Sequence, residues 1–234
     1  MIHGVSSMSK SSLETQAAQG IAVFDRLARE YDQWFDHHPE IYQAEVETLR
    51  RLLPASGDGV EIGAGTGRFA LALGAMLGIE PSWPMARIAQ AQGLMTVQAV
   101  GEHLPLPNGR FDFALLVTVI CFVADLPTLL CETGRVLKPG GRIVIGLIDL
   151  DTPLGRLYES RRATNPFYRY AHFYTTDQVI DMLLGAGFHQ PWTYQAIIDL
   201  PGEGPQVDVP IRPGHGEGSF VGLSAIWSPP ARMP

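Results

Sequence analysis

The amino-acid sequence predicts an α/β protein with a doubly wound, mostly parallel sheet that is covered by helices on both faces. Apolar segments typical of strands alternate with amphipathic helical segments between residues 57 and 148. The strands are apolar throughout, which is typical of strands buried on both faces. A glycine-rich turn, GAGTG, joins the first strand to the next helix, and turns of this kind hold nucleotides in α/β folds.

Seven strands and their helices follow from apolar periodicity and from the glycine and proline residues that end them. The apolar spacing predicts an amphipathic helix over residues 21–35 and a second helix over 41–53. A further helix, Leu126–Val136, ends at the segment LKPGG. The predicted strands are 57–62, 77–80, 95–100, 111–119, 142–148, 192–200 and 219–227.

The regular alternation stops after the fifth strand. A polar and aromatic insertion occupies residues 149–174, and the helix after it has Thr176 as its predicted N-cap. A loop rich in glycine and proline, residues 201–218, joins the last two strands. Loops of this length inside a compact domain usually have a function or are disordered.

The composition argues against several classes of protein. A net charge of −7 lacks the basic character typical of nucleic-acid binders. The sequence shows neither the apolar run of a membrane span nor the apolar core of a signal peptide. Cys121 and Cys131 form neither a disulfide framework nor a CxxC pair, which favours a cytoplasmic protein. His37 and His38 are adjacent and cannot face one ion from a helix, so we predict no metal site.

The glycine turn differs from the two common phosphate-binding patterns. Gly63, Gly65 and Gly67 occupy every second position, and Arg68 stands where the dinucleotide pattern GxGxxG has its third glycine. No Gly-Lys-Ser/Thr follows, so the turn is not a P-loop. Glu80 ends the second strand, and a carboxylate at that place can accept two hydrogen bonds from a ribose diol.

Four motifs occur in a fixed order: VEIGAGTGRFA, GIEPSWPMARIAQ, GEHLPLPNGRFDFALLVTV and RVLKPGGRIVIG. With these motifs the chain resembles the class I S-adenosylmethionine-dependent methyltransferases of the small-molecule type 11 family. The similarity extends from about Phe24 to Trp227 and includes a subgroup of uncharacterised bacterial and archaeal methyltransferases. The resemblance implies a Rossmann-like sheet of seven strands with an antiparallel last strand, and S-adenosylmethionine as the cofactor.

The resemblance also implies twelve cofactor-binding residues. Those of the glycine turn would surround the methionine part, those from Glu80 onward the ribose and adenine, and Val117 and Thr118 the sulfonium. Tyr31 would close over the cofactor. Val100 stands where many relatives have an Asp that contacts the adenine amino group. The implied residues are Tyr31, Glu61, Gly63, Gly65, Glu80, Pro81, Ser82, Gly101, Glu102, Leu104, Val117 and Thr118.

The resemblance divides the single domain, residues 1–234, into parts. The leading helices would cover the core, and the insertion would lie on the substrate side. The predicted parts are a flexible tail (1–20), a helical cover (21–55), a cofactor-binding core (56–148), the insertion (149–174) and the C-terminal helix and strands (175–234).

The predicted acceptor is a small molecule and not a nucleic acid. Enzymes that methylate amino groups of bases carry Asn/Asp-Pro-Pro-Tyr/Phe after the fourth strand, where this chain has VTVICFV. Cys121 follows Ile120 and not the proline of a cytosine-C5 enzyme. Methyl transfer from a sulfonium is an in-line displacement, and it needs a base only when the acceptor must lose a proton.

His172 in the insertion and His215 in the long loop are the candidate bases or substrate contacts. Open α/β sheets bind ligands beyond the carboxyl ends of their strands, where both segments are expected to lie. Nearby aromatic residues would either line a pocket for an apolar or cationic acceptor or pack the cover. They are Trp34, Phe35, Phe167, Tyr168, Tyr170, Phe173 and Tyr174.

Two alternatives to the small-molecule methyltransferase stay open at this point. One is an NAD(P)-dependent oxidoreductase, against which the GxGxG spacing and the LKPGG segment argue. The other is a protein that binds S-adenosylmethionine without catalysis. The sequence leaves open the acceptor atom, the need for a base and the oligomeric state.

Overall fold

The structure, a computed structural model, describes residues 10–198 and 209–229. Three helices lead into a sheet of eight strands, and the remaining helices lie between its strands. The helices are α1 Lys10–Arg26, α2 Ala28–His37, α3 Pro39–Arg50, α4 Arg68–Leu73, α5 Trp83–Ala91, α6 Leu126–Val136, α7 Pro153–Arg161 and α8 Thr176–Gly185. The strands are β1 Gly59–Ile62, β2 Leu77–Ile79, β3 Met95–Val97, β4 Phe111–Val117, β5 Leu137–Ile148, β6 Phe188–Ala196, β7 Ile211–Pro213 and β8 Phe220–Trp227.

The strand order β3-β2-β1-β4-β5-β8-β6-β7 confirms the doubly wound, mostly parallel sheet. Strands β1 to β5 pair in parallel, and the last strand, β8, is inserted antiparallel between β5 and β6. The eighth strand was not predicted. It is β7, which lies inside the segment predicted as a loop and pairs with the edge of β6. Three residues that end in a proline carry no strand periodicity, so only the pairing reveals them.

The N-terminal helices differ from the prediction in two ways. Residues 10–20, which were predicted to belong to a tail, form the first part of α1, whereas residues 1–9 lie outside the described part. Helix α1 is supported by distant contacts, since the Gln16 side chain donates a hydrogen bond to the Tyr170 carbonyl at 2.9 Å. The helix predicted over 21–35 is divided at Leu27, whose ψ of 24° departs from helical geometry. The apolar periodicity of the sequence predicts neither the longer first helix nor the break at Leu27.

The insertion contains one helix that was not predicted, α7, whose N-cap is Thr152. The N-cap of α8 is Thr175 and not Thr176, because Thr175 forms a capping box with Gln178. The Thr176 hydroxyl instead donates to Asp149 Oδ2 at 2.7 Å, which ties the start of α8 to the end of β5. The predicted strand 192–200 begins earlier, at Phe188, and residues 199 and 200 lie outside the described residues.

Two apolar clusters, one against each face of the sheet, make the core. The second cluster includes side chains from α2, α3 and α7, so the leading helices and the insertion pack on the same face. These segments therefore meet above the carboxyl ends of β1, β4 and β5, where open sheets of this kind bind ligands. None of the described helices is both long and apolar enough to span a membrane.

Candidate active site

A cavity of about 630 Å³ lies at the carboxyl ends of the parallel strands, beneath the leading helices and the insertion. One end, called here the cofactor end, is formed by the glycine turn and by the segments after β2, β3 and β4. The other, called the acceptor end, is formed by α2, α3, α7 and residues 165–174. Among the described residues that line the cavity there is no lysine or arginine, whereas several carboxylates are present. The lining is therefore electrically suited to a cationic ligand.

Gly63 and Gly65 line the cofactor end. Both have positive φ, 74° and 55°, a conformation that favours glycine. A Cβ on Gly63 would meet Val119 Cγ2 at 2.3 Å, so a side chain has no room there. The tight turn brings backbone N–H groups to the cavity edge, and the Gly65 N–H donates to Glu80 Oε2 at 2.8 Å.

Glu80 lies at the end of β2 and is 6% exposed. Its other oxygen, Oε1, accepts a hydrogen bond from the Ser82 N–H at 2.8 Å. Burial raises the pKa of Glu80 to about 7, against the lowering effect of these two bonds. Each carboxylate oxygen has lone pairs beyond the single bond it accepts, so the group can still bind a diol. Pro81 also lines the cavity, whereas Ser82 does not and serves as the N-cap of α5.

Glu61 is buried below the glycine turn and does not line the cavity. Its Oε2 has no hydrogen-bond partner among the described residues. Burial raises the pKa of Glu61 well above its ordinary value, and the nearby Glu80 adds to the increase. Glu61 therefore lies behind the glycine turn and not at the surface of the cavity.

The segment after β3 is only partly at the cavity. Gly101 and Glu102 line it, and Glu102 Oε1 accepts the Ala124 N–H at 2.9 Å, which fixes the loop after β4. Leu104 does not line the cavity, contrary to the prediction. Its side chain is in the core, and its N–H donates to Glu132 at 3.0 Å. The Leu104 carbonyl in turn accepts a hydrogen bond from the Arg135 guanidinium at 3.0 Å, so the backbone of Leu104 is bound to α6.

Val117, Thr118 and Tyr31 line the middle of the cavity. Thr118 has φ 51°, which is costly for a β-branched residue and is typical of functional positions. The Tyr31 ring passes close to the glycine turn, 3.6 Å from the position of a Cβ on Gly65. Burial raises the pKa of the Tyr31 hydroxyl, which lies beside the Thr118 side chain. The phenol therefore stays neutral over the physiological range.

Neither predicted histidine reaches the cavity. The His172 side chain is exposed, and its backbone N–H donates to the Cys121 carbonyl at 2.7 Å. The His215 ring lies 3.1 Å from Asp177 Oδ1 and 3.3 Å from Thr193 Oγ1. The pairing of β7 with β6 turns the end of the loop towards the start of α8, which takes His215 away from the site. The geometry thus gives no support to a catalytic base at either position.

The sequence did not indicate Glu45, which the structure places in the wall of the acceptor end. It lies on α3 and is 6% exposed, and no described residue is hydrogen-bonded to its carboxyl. Burial raises its pKa to about 8. A signal was present, because Ile41, Glu45 and Leu49 share the apolar face of the predicted helix. A glutamate on such a face is rare unless it is paired.

Aromatic residues form much of the acceptor end. Tyr158 on α7 stacks on Tyr168 with 4.9 Å between ring centroids. Of the predicted aromatic residues Tyr170 does not line the cavity, and those that do are Trp34, Phe35, Phe167, Tyr168, Phe173 and Tyr174. Cys121 lines the cavity as well, but burial raises the pKa of its thiol to about 12, so it is no nucleophile.

Arg68 has a role that the sequence did not reveal. Its Nε and NH2 atoms donate to the two Asp32 oxygens at 2.8 and 2.9 Å, and its NH1 donates to Asp36 at 2.7 Å. Both aspartates are on α2, the helix that carries Tyr31. The residue after the glycine turn therefore ties that helix to the cofactor end with a bidentate pair.

The sheet, the glycine turn and the buried Glu80 together define a Rossmann-like protein with a nucleoside-binding site. A family model described as a methyltransferase domain matches residues 60–145. The chain belongs to the class I S-adenosylmethionine-dependent methyltransferases of the type 11 family, and S-adenosylmethionine is its cofactor. The oxidoreductase and the non-catalytic alternatives are therefore not retained.

Similar proteins support this assignment along most of the chain. An uncharacterized protein of Methanocaldococcus jannaschii is 43% identical over 204 residues, which are 87% of this chain and 98% of that protein. A crystal structure from Thermotoga maritima, described as a possible histamine N-methyltransferase, is 40% identical with a TM-score of 0.85. It covers 89% of this chain and is itself covered completely. A demethylmenaquinone methyltransferase of Tropheryma whipplei is 30% identical over 63% of this chain and 62% of its own length.

Proposed function

We propose that this enzyme transfers the methyl group of S-adenosylmethionine to a small molecule bound in the acceptor end of the cavity. The observation that carries the proposal is the continuity of the cavity, which runs from the glycine turn to an aromatic chamber beneath α2 and α3. Its volume of about 630 Å³ is within the range of small-molecule sites. The names of the relatives from T. whipplei and T. maritima also refer to small acceptors.

The residues present fit the cofactor. S-adenosylmethionine supplies an electrophilic methyl group on a positively charged sulfur. Glu80 would accept hydrogen bonds from the ribose. Gly63 and Gly65, with Glu61 behind the turn, would hold the methionine part. The segments after β2 and β3 would bind the adenine, through Pro81, Gly101 and Glu102, and Val117, Thr118 and Tyr31 would surround the sulfonium.

The chain mainly has to align the acceptor and exclude water. Holding two reactants in line can lower the activation free energy by roughly 7–11 kcal/mol. A catalytic triad is therefore not required. Helix α2 would align the acceptor and exclude water, because its Tyr31 and Phe35 line the cavity and Arg68 fixes the helix in place. The predicted base on His172 or His215 has no part in this proposal.

The test is isothermal calorimetry with S-adenosylhomocysteine, followed by a methylation screen over small amines, phenols and thiols. We expect binding at micromolar concentration and release of S-adenosylhomocysteine with at least one acceptor class. The nucleic-acid alternative is examined by adding tRNA and duplex DNA to the same assay. Methylation of either, with no small molecule accepted, would refute the small-molecule assignment.

A further inference from the structure

Glu45 is the polar group in the acceptor end that the fold itself does not use. Its side chain is buried and lines the cavity, and no described residue donates a hydrogen bond to it. A buried carboxylate without a partner costs several kcal/mol of stability, so one that lines a ligand cavity is best explained by a ligand that pairs with it. Nearby Glu47, on the exposed side of the same helix, pairs with Arg51 and shows no such deficit.

The ionisable groups whose pKa values respond to the charge of Glu45 are four phenols. They are Tyr31 on α2, Tyr42 on α3, Tyr158 on α7 and Tyr168 in the insertion. Burial raises the pKa of each of these phenols, so they stay uncharged. With no lysine or arginine among the described lining residues, the chain itself offers Glu45 no counter-ion. A cationic group on the ligand would therefore be the partner that the lining of the cavity does not supply.

We propose that Glu45 recognises an amine as the methyl acceptor and takes the proton that the amine must lose before transfer. This rests on the proposed function and names its substrate class: a small amine with an aromatic or apolar body. The phenol and phenyl rings around the carboxylate suit such a cation, because aromatic faces attract positive charge. The carboxylate supplies the directional partner that rings alone lack.

The proton balance of the reaction depends on one proton that the amine and the Glu45 carboxyl group share. An ammonium beside the Glu45 carboxylate and a neutral amine beside the Glu45 carboxylic acid differ only in the position of that proton. With the proton on Glu45, the nitrogen has a free lone pair and forms the new N–C bond while the S–C bond breaks and its electron pair stays on sulfur. The product is a methylated ammonium, and Glu45 returns its proton to solvent. A base whose pKa lies near the working pH suits this exchange.

The experiment compares wild type, Glu45→Gln and the matched control Glu47→Gln on the same helix. The probes are 2-phenylethylamine, 2-phenylethanol and 2-phenylethanethiol, which share one body and differ in the acceptor atom. Calorimetry measures their binding to the S-adenosylhomocysteine complex, and product release measures kcat and KM. We expect only the amine to bind and react. Glu45→Gln should lower kcat/KM by about 100-fold or more, and Glu47→Gln by less than about twofold.

Two further measurements separate a ligand role from a structural one. Glu45→Gln should keep its affinity for S-adenosylhomocysteine and should raise the Tm, because an ionisable carboxyl no longer has to be buried. Glu45→Asp retains a carboxylate and should keep more amine activity than Glu45→Gln. The proposal is overturned if the wild-type complex fails to bind the amine at about millimolar concentration, or if Glu45→Gln methylates it as well as wild type. Failure of wild type to bind S-adenosylhomocysteine would instead refute the proposed function.

Discussion

The carboxylates that line the two ends of the cavity differ in how the protein supports them. In the cofactor end Glu80 accepts two backbone N–H groups and Glu102 accepts another, so both are fixed before any ligand arrives. In the acceptor end Glu45 has no such support. The cofactor end is therefore built for one constant ligand, whereas the acceptor end holds a polar group whose partner has to be supplied from outside.

The largest expected effect is a loss of cofactor affinity, and it tests the cofactor end. Glu80→Ala should weaken S-adenosylhomocysteine binding by about 100-fold or more, because two charge-assisted bonds to the ribose are lost and the Gly65 and Ser82 N–H groups lose their acceptor. Calorimetry measures the change, and Glu47→Ala on the surface serves as the control. Affinity equal to wild type would remove Glu80 from the ribose site.

Next in size is the effect of a methyl group in the glycine turn. Gly63→Ala should lower the free energy of unfolding by about 2–4 kcal/mol, since it combines positive φ with overlap against Val119. Gly74 is the matched control: its φ is 76° and nothing lies within 4 Å of its added Cβ. Gly74→Ala should cost about 1 kcal/mol. Urea denaturation measures both, and equal losses would mean that close packing at Gly63 is unimportant.

A smaller effect of opposite sign is expected in the acceptor end. Burial raises the pKa of Glu45 above its unfolded value, so the residue costs stability once the pH exceeds about 4.5. The cost grows until the pH passes the folded pKa of about 8. Glu45→Gln should therefore be more stable than wild type at pH 8 and should match it near pH 4. Denaturation at both pH values tests this, and a destabilised variant at pH 8 would contradict it.

The smallest effect concerns the link between the two ends. Arg68→Met should raise the Kd for S-adenosylhomocysteine by about fivefold, because α2 loses the bidentate pair that holds Tyr31 over the site. The control is Arg212→Met, which removes an exposed pair with Glu217 and should change nothing measurable. Combining Arg68→Met with Asp32→Asn should add little to the single change. Full additivity would show that the pair does not act as a unit.

The residues that line the cofactor end could be predicted from the sequence because most of them lie close together in the chain. A strand, a glycine turn and a carboxylate after the next strand lie in one continuous stretch, and their spacing fixes where they meet. The parallel sheet was predicted for the same reason, from apolar strands that alternate with helices. Its errors are small ones: Leu104 is turned into the core by Glu132, and Ser82 caps a helix behind the cavity wall.

The acceptor end was predicted only in part: most of the aromatic residues named from the sequence line it, but Glu45 was missed because its neighbours come from segments far apart in the chain. Glu45 on α3 meets Tyr158 and Tyr168 only after α7 folds back over the sheet. The two histidines were chosen because their loops were expected on the ligand side, but loop position does not fix the direction of a side chain. His215 is turned aside by a three-residue strand whose pairing no local pattern predicts.

The place of Glu45 in the chain has a consequence for how this enzyme can diversify. Residues 60–145, which match the family model, hold nearly all the proposed cofactor contacts, whereas Glu45, Tyr158 and Tyr168 lie outside them. On this proposal, mutations in α3 and in the insertion are expected to exchange one acceptor for another without disturbing the methyl-donor chemistry, whereas mutations in α2 would also affect the cofactor through Tyr31. Grafting α3 and residues 149–174 between relatives is accordingly the direct way to transplant acceptor choice.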